Sequence, residues 1–97
     1  MAGETLYIVT YDISNPKRWR KVFRLMEGHG EWLQYSVFQC RLSKRRLAEL
    51  RAALDGVIHH AEDHVLIVDL GPADGVRPKV DSLGKAFAAV ERQPVIV

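Results

Sequence analysis

The sequence has a single cysteine, Cys40, so no disulfide can form within the chain, and a reducing compartment, the cytoplasm, is expected. No apolar run approaches the roughly 20 residues needed to cross a bilayer, which excludes a membrane-spanning helix. The opening Met1-Ala2-Gly3-Glu4 lacks the basic and apolar regions of a signal peptide, so no export is expected. There is no Gly-rich phosphate loop, no Gly-x-Ser-x-Gly elbow, and no Lys/Arg-Gly-Phe signature for stacking bases on a sheet. His29, His59, His60 and His64 have neither a cysteine partner nor a His-x-Glu arrangement, so zinc is not expected, and they read as surface or packing residues. Net charge is only +2 and the hydrophobic share is 47%, which argues against disorder. At 97 residues the chain can build one core, so a single domain over 1–97 is expected.

Charge is present, but unevenly. Residues 17–51 hold ten basic side chains (Lys17, Arg18, Arg20, Lys21, Arg24, Arg41, Lys44, Arg45, Arg46 and Arg51) against three acidic ones. Such a stretch can present a basic face to a phosphate backbone. The plainer reading is two solvated helix faces.

Residues 5–12, Thr-Leu-Tyr-Ile-Val-Thr-Tyr-Asp, read as a strand. Neither of its faces is polar, so both should be covered. Asn15 is placed to cap a helix that begins at Pro16 and carries Trp19, Val22, Phe23 and Met26 at helical spacing, with Gly28-His29-Gly30 as its stop. Residues 31–42 alternate over a length that calls for a bend within Tyr35-Ser36-Val37. Ser43 caps a second helix over 44–55, closed by Gly56, and a further strand is expected over 63–70. Residues 71–78 are turn-rich, 81–92 have weak helical spacing, and Pro94–Val97 is a short apolar strand without an evident partner. The order predicts an α+β fold, a ferredoxin-like β-α-β-β-α-β sandwich with two helices on one face of an antiparallel sheet. Two helices leave the other sheet face bare, and a second copy of the chain is the simplest cover, so a homodimer is expected.

Asp12 is the leading candidate for chemistry. It ends an apolar strand just before a helix, where a carboxylate can reach solvent and bind Mg²⁺. The plainer role is capping the helix that follows. Tyr11 and Phe38 could stack on a base or could simply pack. Cys40, among buried-type neighbours, reads as core rather than nucleophile.

Tyr11-Asp12-Ile13-Ser14, then Lys17-Arg18 and Lys21-Val22, then Gln34-Tyr35-Ser36-Val37-Phe38, resembles the CRISPR-associated protein 2 family over about residues 5–70. That family is the small subunit of the CRISPR spacer-acquisition machinery. The resemblance implies a ferredoxin-like homodimer whose C-terminal strand, here Pro94–Val97, adds to the partner's sheet. It implies a divalent metal, Mg²⁺, at the dimer interface, held by Asp12, which would be both the metal ligand and the catalytic residue. It implies metal-dependent endonuclease activity on single-stranded RNA or double-stranded DNA, and a bridging role between dimers of the CRISPR integrase. Lys17, Arg18, Arg20, Lys21 and Arg24 are then nucleic-acid-binding candidates, and Tyr11, Ser36 and Phe38 substrate-side candidates. The alternative is a non-catalytic DNA-binding adaptor. Asn15 stands where the family often has an acidic residue, and residues 71–92 match none of its motifs.

Overall fold

A computed structural model of the chain describes residues 3–84. Four strands and two helices run in the order β1 (Thr5–Asp12), α1 (Pro16–Glu27), β2 (Glu31–Gln34), β3 (Val37–Leu42), α2 (Lys44–Asp55) and β4 (His64–Pro72). The sheet is antiparallel, ordered β2-β3-β1-β4, so the first strand is central. This is the expected ferredoxin-like arrangement.

Local chemistry sets most boundaries. The Asn15 side chain accepts hydrogen bonds from the Lys17 and Arg18 amides (2.9 and 3.1 Å), and Pro16 supplies a first helical residue that needs no amide partner. Ser43 accepts from the Arg46 amide (3.2 Å) in the same way at α2. The expected bend in 31–42 is a two-residue turn, Tyr35–Ser36, with Gln34 facing Val37.

The helices pack on the sheet face formed by Tyr7, Val9 and Tyr11 of β1 and Phe38, Cys40 and Leu42 of β3, closed by Val22 and Met26 of α1 and Leu50 and Leu54 of α2. Burying such side chains is the main stabilising term. The opposite face carries Leu6, Ile8, Thr10 and Asp12 of β1, the last three beside Val68, Leu66 and His64 of β4. Neither helix covers it, but Leu6 is buried, Ile8 and Thr10 are half-buried, and residues 80–83 lie near Leu33, Gln34 and Val37. Leu66 and Val68 there are 49% and 46% exposed.

Two boundaries differ from the sequence reading. β4 begins one residue later than expected, because the Asp63 side chain turns inward to hydrogen-bond neighbouring loops, and it runs on to Pro72. Residues 81–84, expected to start a weak helix, are not helical. The rest of that segment and the expected Pro94–Val97 strand lie outside the described residues.

Candidate functional site

The last residue of the central strand, Asp12, pairs with His64 of β4 on the bare face. Its side chain is exposed and has no hydrogen bond or ion pair among the described residues. Helix capping belongs to Asn15, so the plainer role for Asp12 is not the one observed. A carboxylate left unpaired at a strand end is available to a cation. Mg²⁺ keeps several waters and takes one or two carboxylates, so Asp12 fits as one ligand of such a site. No cluster of three or more His, Cys, Asp or Glu suited to a metal occurs among the described residues.

The loop after Asp12 is fastened by residues distant in sequence. Asp63, whose side chain has no exposed surface, accepts from Arg18 Nε (2.7 Å) and Nη2 (3.2 Å), the Ser14 amide (3.2 Å) and the His59 amide (2.7 Å). Arg18 Nη2 also reaches Glu62 (3.1 Å). The Arg18 guanidinium, helped by the two amides, holds the Asp63 carboxyl well below the usual carboxylate range despite its burial. The same pair raises the Arg18 pKa. Arg18, expected among the nucleic-acid-binding cations, is therefore committed to a structural clamp. Its partners Glu62 and Asp63 lie 44 and 45 residues away, beyond the reach of any helix-face argument.

The other candidate cations are free to bind. Lys17, Arg20, Lys21 and Arg24 are exposed on α1 and their side chains have no ion pair among the described residues. On α2, Arg45 pairs loosely with Glu49 (3.5 Å) and Arg46 donates to the Gly28 carbonyl (3.2 Å).

The expected substrate-side trio sits elsewhere. Tyr11 points to the opposite face of β1 from Asp12, and Phe38 is fully buried against it, ring centroids 6.3 Å apart. Ser36 is buried and accepts from Trp19 Nε1 (2.9 Å). Burial pushes the Tyr11 hydroxyl up to about 12, with the nearby Ser36 hydroxyl pulling the other way, and Tyr11 Oη has no hydrogen-bond partner among the described residues. Strand alternation puts Tyr11 and Phe38 in the core under α1, and Ser36, in the β2–β3 turn, is buried by its contact with Trp19. Burial likewise pushes the Cys40 thiol up to about 11, which leaves it inert as a nucleophile. His29 Nδ1 is 2.8 Å from the Leu25 carbonyl and His60 Nε2 is 3.1 Å from the Asp55 carbonyl, both local helix-end contacts.

A feature not anticipated from the sequence is Tyr35, the first residue of the β2–β3 turn. It has a left-handed φ of 31° and a side chain largely in solvent. Its ring lies 5.6 Å from that of Trp19, and its carbonyl accepts from Trp32 Nε1 (2.8 Å). A tyrosine within an alternating run gives no sign of its φ.

Residues 5–75 match the family described as CRISPR associated protein Cas2. The chain is 58% identical over 94 residues to the CRISPR-associated endoribonuclease Cas2 of Geobacter sulfurreducens, covering 97% of this chain and 99% of that one. It is 52% identical to CRISPR-associated endoribonuclease Cas2 1 of Rhodospirillum rubrum, covering 98% and 93%. Among solved structures, Cas2 of Streptococcus pyogenes superposes with a TM-score of 0.72 at 28% identity, covering 81% of this chain and 99% of that one. With its motifs, sheet order and close relatives in agreement, this chain belongs to the CRISPR-associated protein Cas2 family.

Proposed function

We propose that the protein is a metal-dependent endoribonuclease of a CRISPR spacer-acquisition system, working as a symmetric homodimer. The observation that carries this reading is Asp12, a free and exposed carboxylate at the end of β1, on the sheet face away from the helices. Two copies joined through that face would bring two Asp12 carboxylates to one axis, the number that a hydrated Mg²⁺ accepts. Such an ion, when bound, lowers the pKa of a coordinated water and neutralises charge growing on a phosphate. The chain's own contribution is then positional. Asp12 fixes where hydrolysis of the P–O bond occurs, and Lys17, Arg20, Lys21 and Arg24 hold the flanking phosphates. The Asp63–Arg18 clamp keeps the loop beyond Asp12 in one conformation.

The test is cleavage of labelled single-stranded RNA and double-stranded DNA by wild type and Asp12→Ala, each with Mg²⁺ and with chelator. Cleavage should require Mg²⁺ and fall to background in the variant, with the fold intact because Asp12 has no structural partner. Equal rates in the two proteins would remove the nuclease reading.

The free cations of α1 also support a second reading, a dimeric adaptor that grips duplex DNA by its phosphates and bridges integrase dimers without cutting. Its affinity should drop steeply with salt and depend little on sequence. Salt-insensitive binding would exclude it.

A further inference from the structure

Between the β1–α1 loop and the β2–β3 turn lies an open cavity of about 410 Å³, lined by Ile13, Ser14, Pro16, Trp19, Arg20 and Tyr35. Its size falls in the range of small-molecule sites, and its lining has their usual character, apolar and aromatic with a few polar groups. Three observations give it an occupant. Tyr35 is 73% exposed at the rim, which leaves its ring accessible to a stacking partner. Tyr35 has φ 31° at the first position of a two-residue hairpin loop, a place where glycine is favoured. A bulky residue kept in a left-handed conformation marks a place where function outweighs local comfort. The turn is held there by the bond from Trp32 Nε1, and the ring is backed by Trp19, itself stacked on Phe23 at 5.2 Å. Finally, Arg20 lines the same cavity with no ion pair among the described residues. An aromatic platform beside an unpaired guanidinium matches a base joined to its phosphate.

We propose that this cavity is a nucleobase subsite for single-stranded RNA: one unpaired base stacks on Tyr35 while its phosphate is held by Arg20. The inference rests on the nuclease reading for its choice of RNA. Its wall, Ile13 and Ser14, lies one and two residues past Asp12, so a strand anchored here is delivered to the end of β1. A duplex, whose bases are already stacked on one another, gains nothing from Tyr35. The subsite thus selects unpaired strands, which Asp12 and the α1 cations alone would not do.

Binding is measured by fluorescence anisotropy with a labelled single-stranded oligoribonucleotide, in excess EDTA so that metal-dependent cleavage plays no part. Tyr35→Asn keeps a residue that tolerates a left-handed φ and removes the ring, and it should weaken binding roughly tenfold. Tyr35→Phe should stay within about twofold of wild type, since stacking needs only the ring. All three proteins should bind a duplex of equal length alike. Wild type should also bind an abasic oligoribonucleotide about as weakly as Tyr35→Asn binds the normal one. This last comparison needs no variant to fold. Equal affinity of wild type for the normal and abasic strands, or a loss in Tyr35→Asn that extends equally to duplex, overturns the subsite. Undiminished cleavage by Asp12→Ala would instead remove the nuclease reading, and it would leave the binding result untouched.

Discussion

Asp63 is an anion with no exposed surface, kept charged by everything that touches it. The Arg18 guanidinium and the Ser14 and His59 amides all stabilise the carboxylate, and their sum outweighs desolvation, so its folded pKa is depressed. A depressed carboxylate contributes stability above its unfolded pKa, about 3.9, and loses it as pH falls through the folded value. The amide of Asp63→Asn can still accept hydrogen bonds but carries no charge. Thermal melts should therefore show wild type well above Asp63→Asn at pH 7, with the gap narrowing steadily below about pH 4. A gap that stays constant down to pH 2 would show that Asp63 acts through packing alone. Arg18→Lys should lower the melting temperature too, because an ammonium cannot reproduce the two-pronged contact. This is also where the sequence was least legible. Arg18 reads as one more cation on a basic helix, and Asp63 as an ordinary strand-start acid. Only the three-dimensional approach of the β1–α1 loop to the segment before β4 joins them.

At the scale of elements, the ends of the helices were legible, because caps are local chemistry. Asn15 with Pro16 and Ser43 bracket the N-termini, and Gly28 and Gly56 follow the last helical residues, as their positions in the sequence indicate. Pairing details were not, because they depend on partners far along the chain. The shift between Leu6 and Tyr7 against β4 is one example, and the extension of β4 to Pro72 is another. Gly30 is a third. The sequence offers it as part of a helix stop, yet its role is to let the start of β2 lie close on β3. A Cβ at Gly30 would collide with Cys40 Sγ and lie 2.6 Å from the Gln39 carbonyl oxygen. One obstacle is a fully buried side chain and the other is strand backbone, so neither yields cheaply. Gly30→Ala should cost roughly 1–3 kcal/mol in urea denaturation, the usual scale for overpacking. An unchanged midpoint would mean that the β2–β3 ribbon shifts freely, contrary to the packing of Phe23 against both Trp32 and Phe38.

For the molecule as a whole, the decisive feature is asymmetry between the two faces of one sheet. Alternation along β1 made this visible in the sequence: two helices could cover Tyr7, Val9 and Tyr11, and no helix remained for the face of Leu6, Ile8, Thr10 and Asp12, of which Leu6 is nonetheless buried. Which face Tyr11 and Phe38 would take was not decided by alternation alone, and it is the helices packing over them that buries them. On the other face Leu66, Val68 and Leu70 of β4 stay 38–49% exposed, an apolar row that ends beside Asp12. An apolar surface of this kind on a sheet is typical of an interface. If two copies meet there, association and catalysis share a cause, since each copy supplies one Asp12. Leu66→Glu tests this sharply. Leu66 is already half in solvent and lies outside the core cluster, so the charge should leave the fold of a single chain and its melting temperature little changed. Sedimentation velocity should move the protein from twice the 11.0 kDa chain mass to the chain mass, and RNA cleavage should disappear with the dimer. Wild type sedimenting as a monomer would remove the dimer, and Leu66→Glu remaining a dimer would place the interface elsewhere. A variant that is monomeric yet cleaves at the wild-type rate would break the link between the bare face and the paired carboxylates, leaving Asp12 to act within one chain.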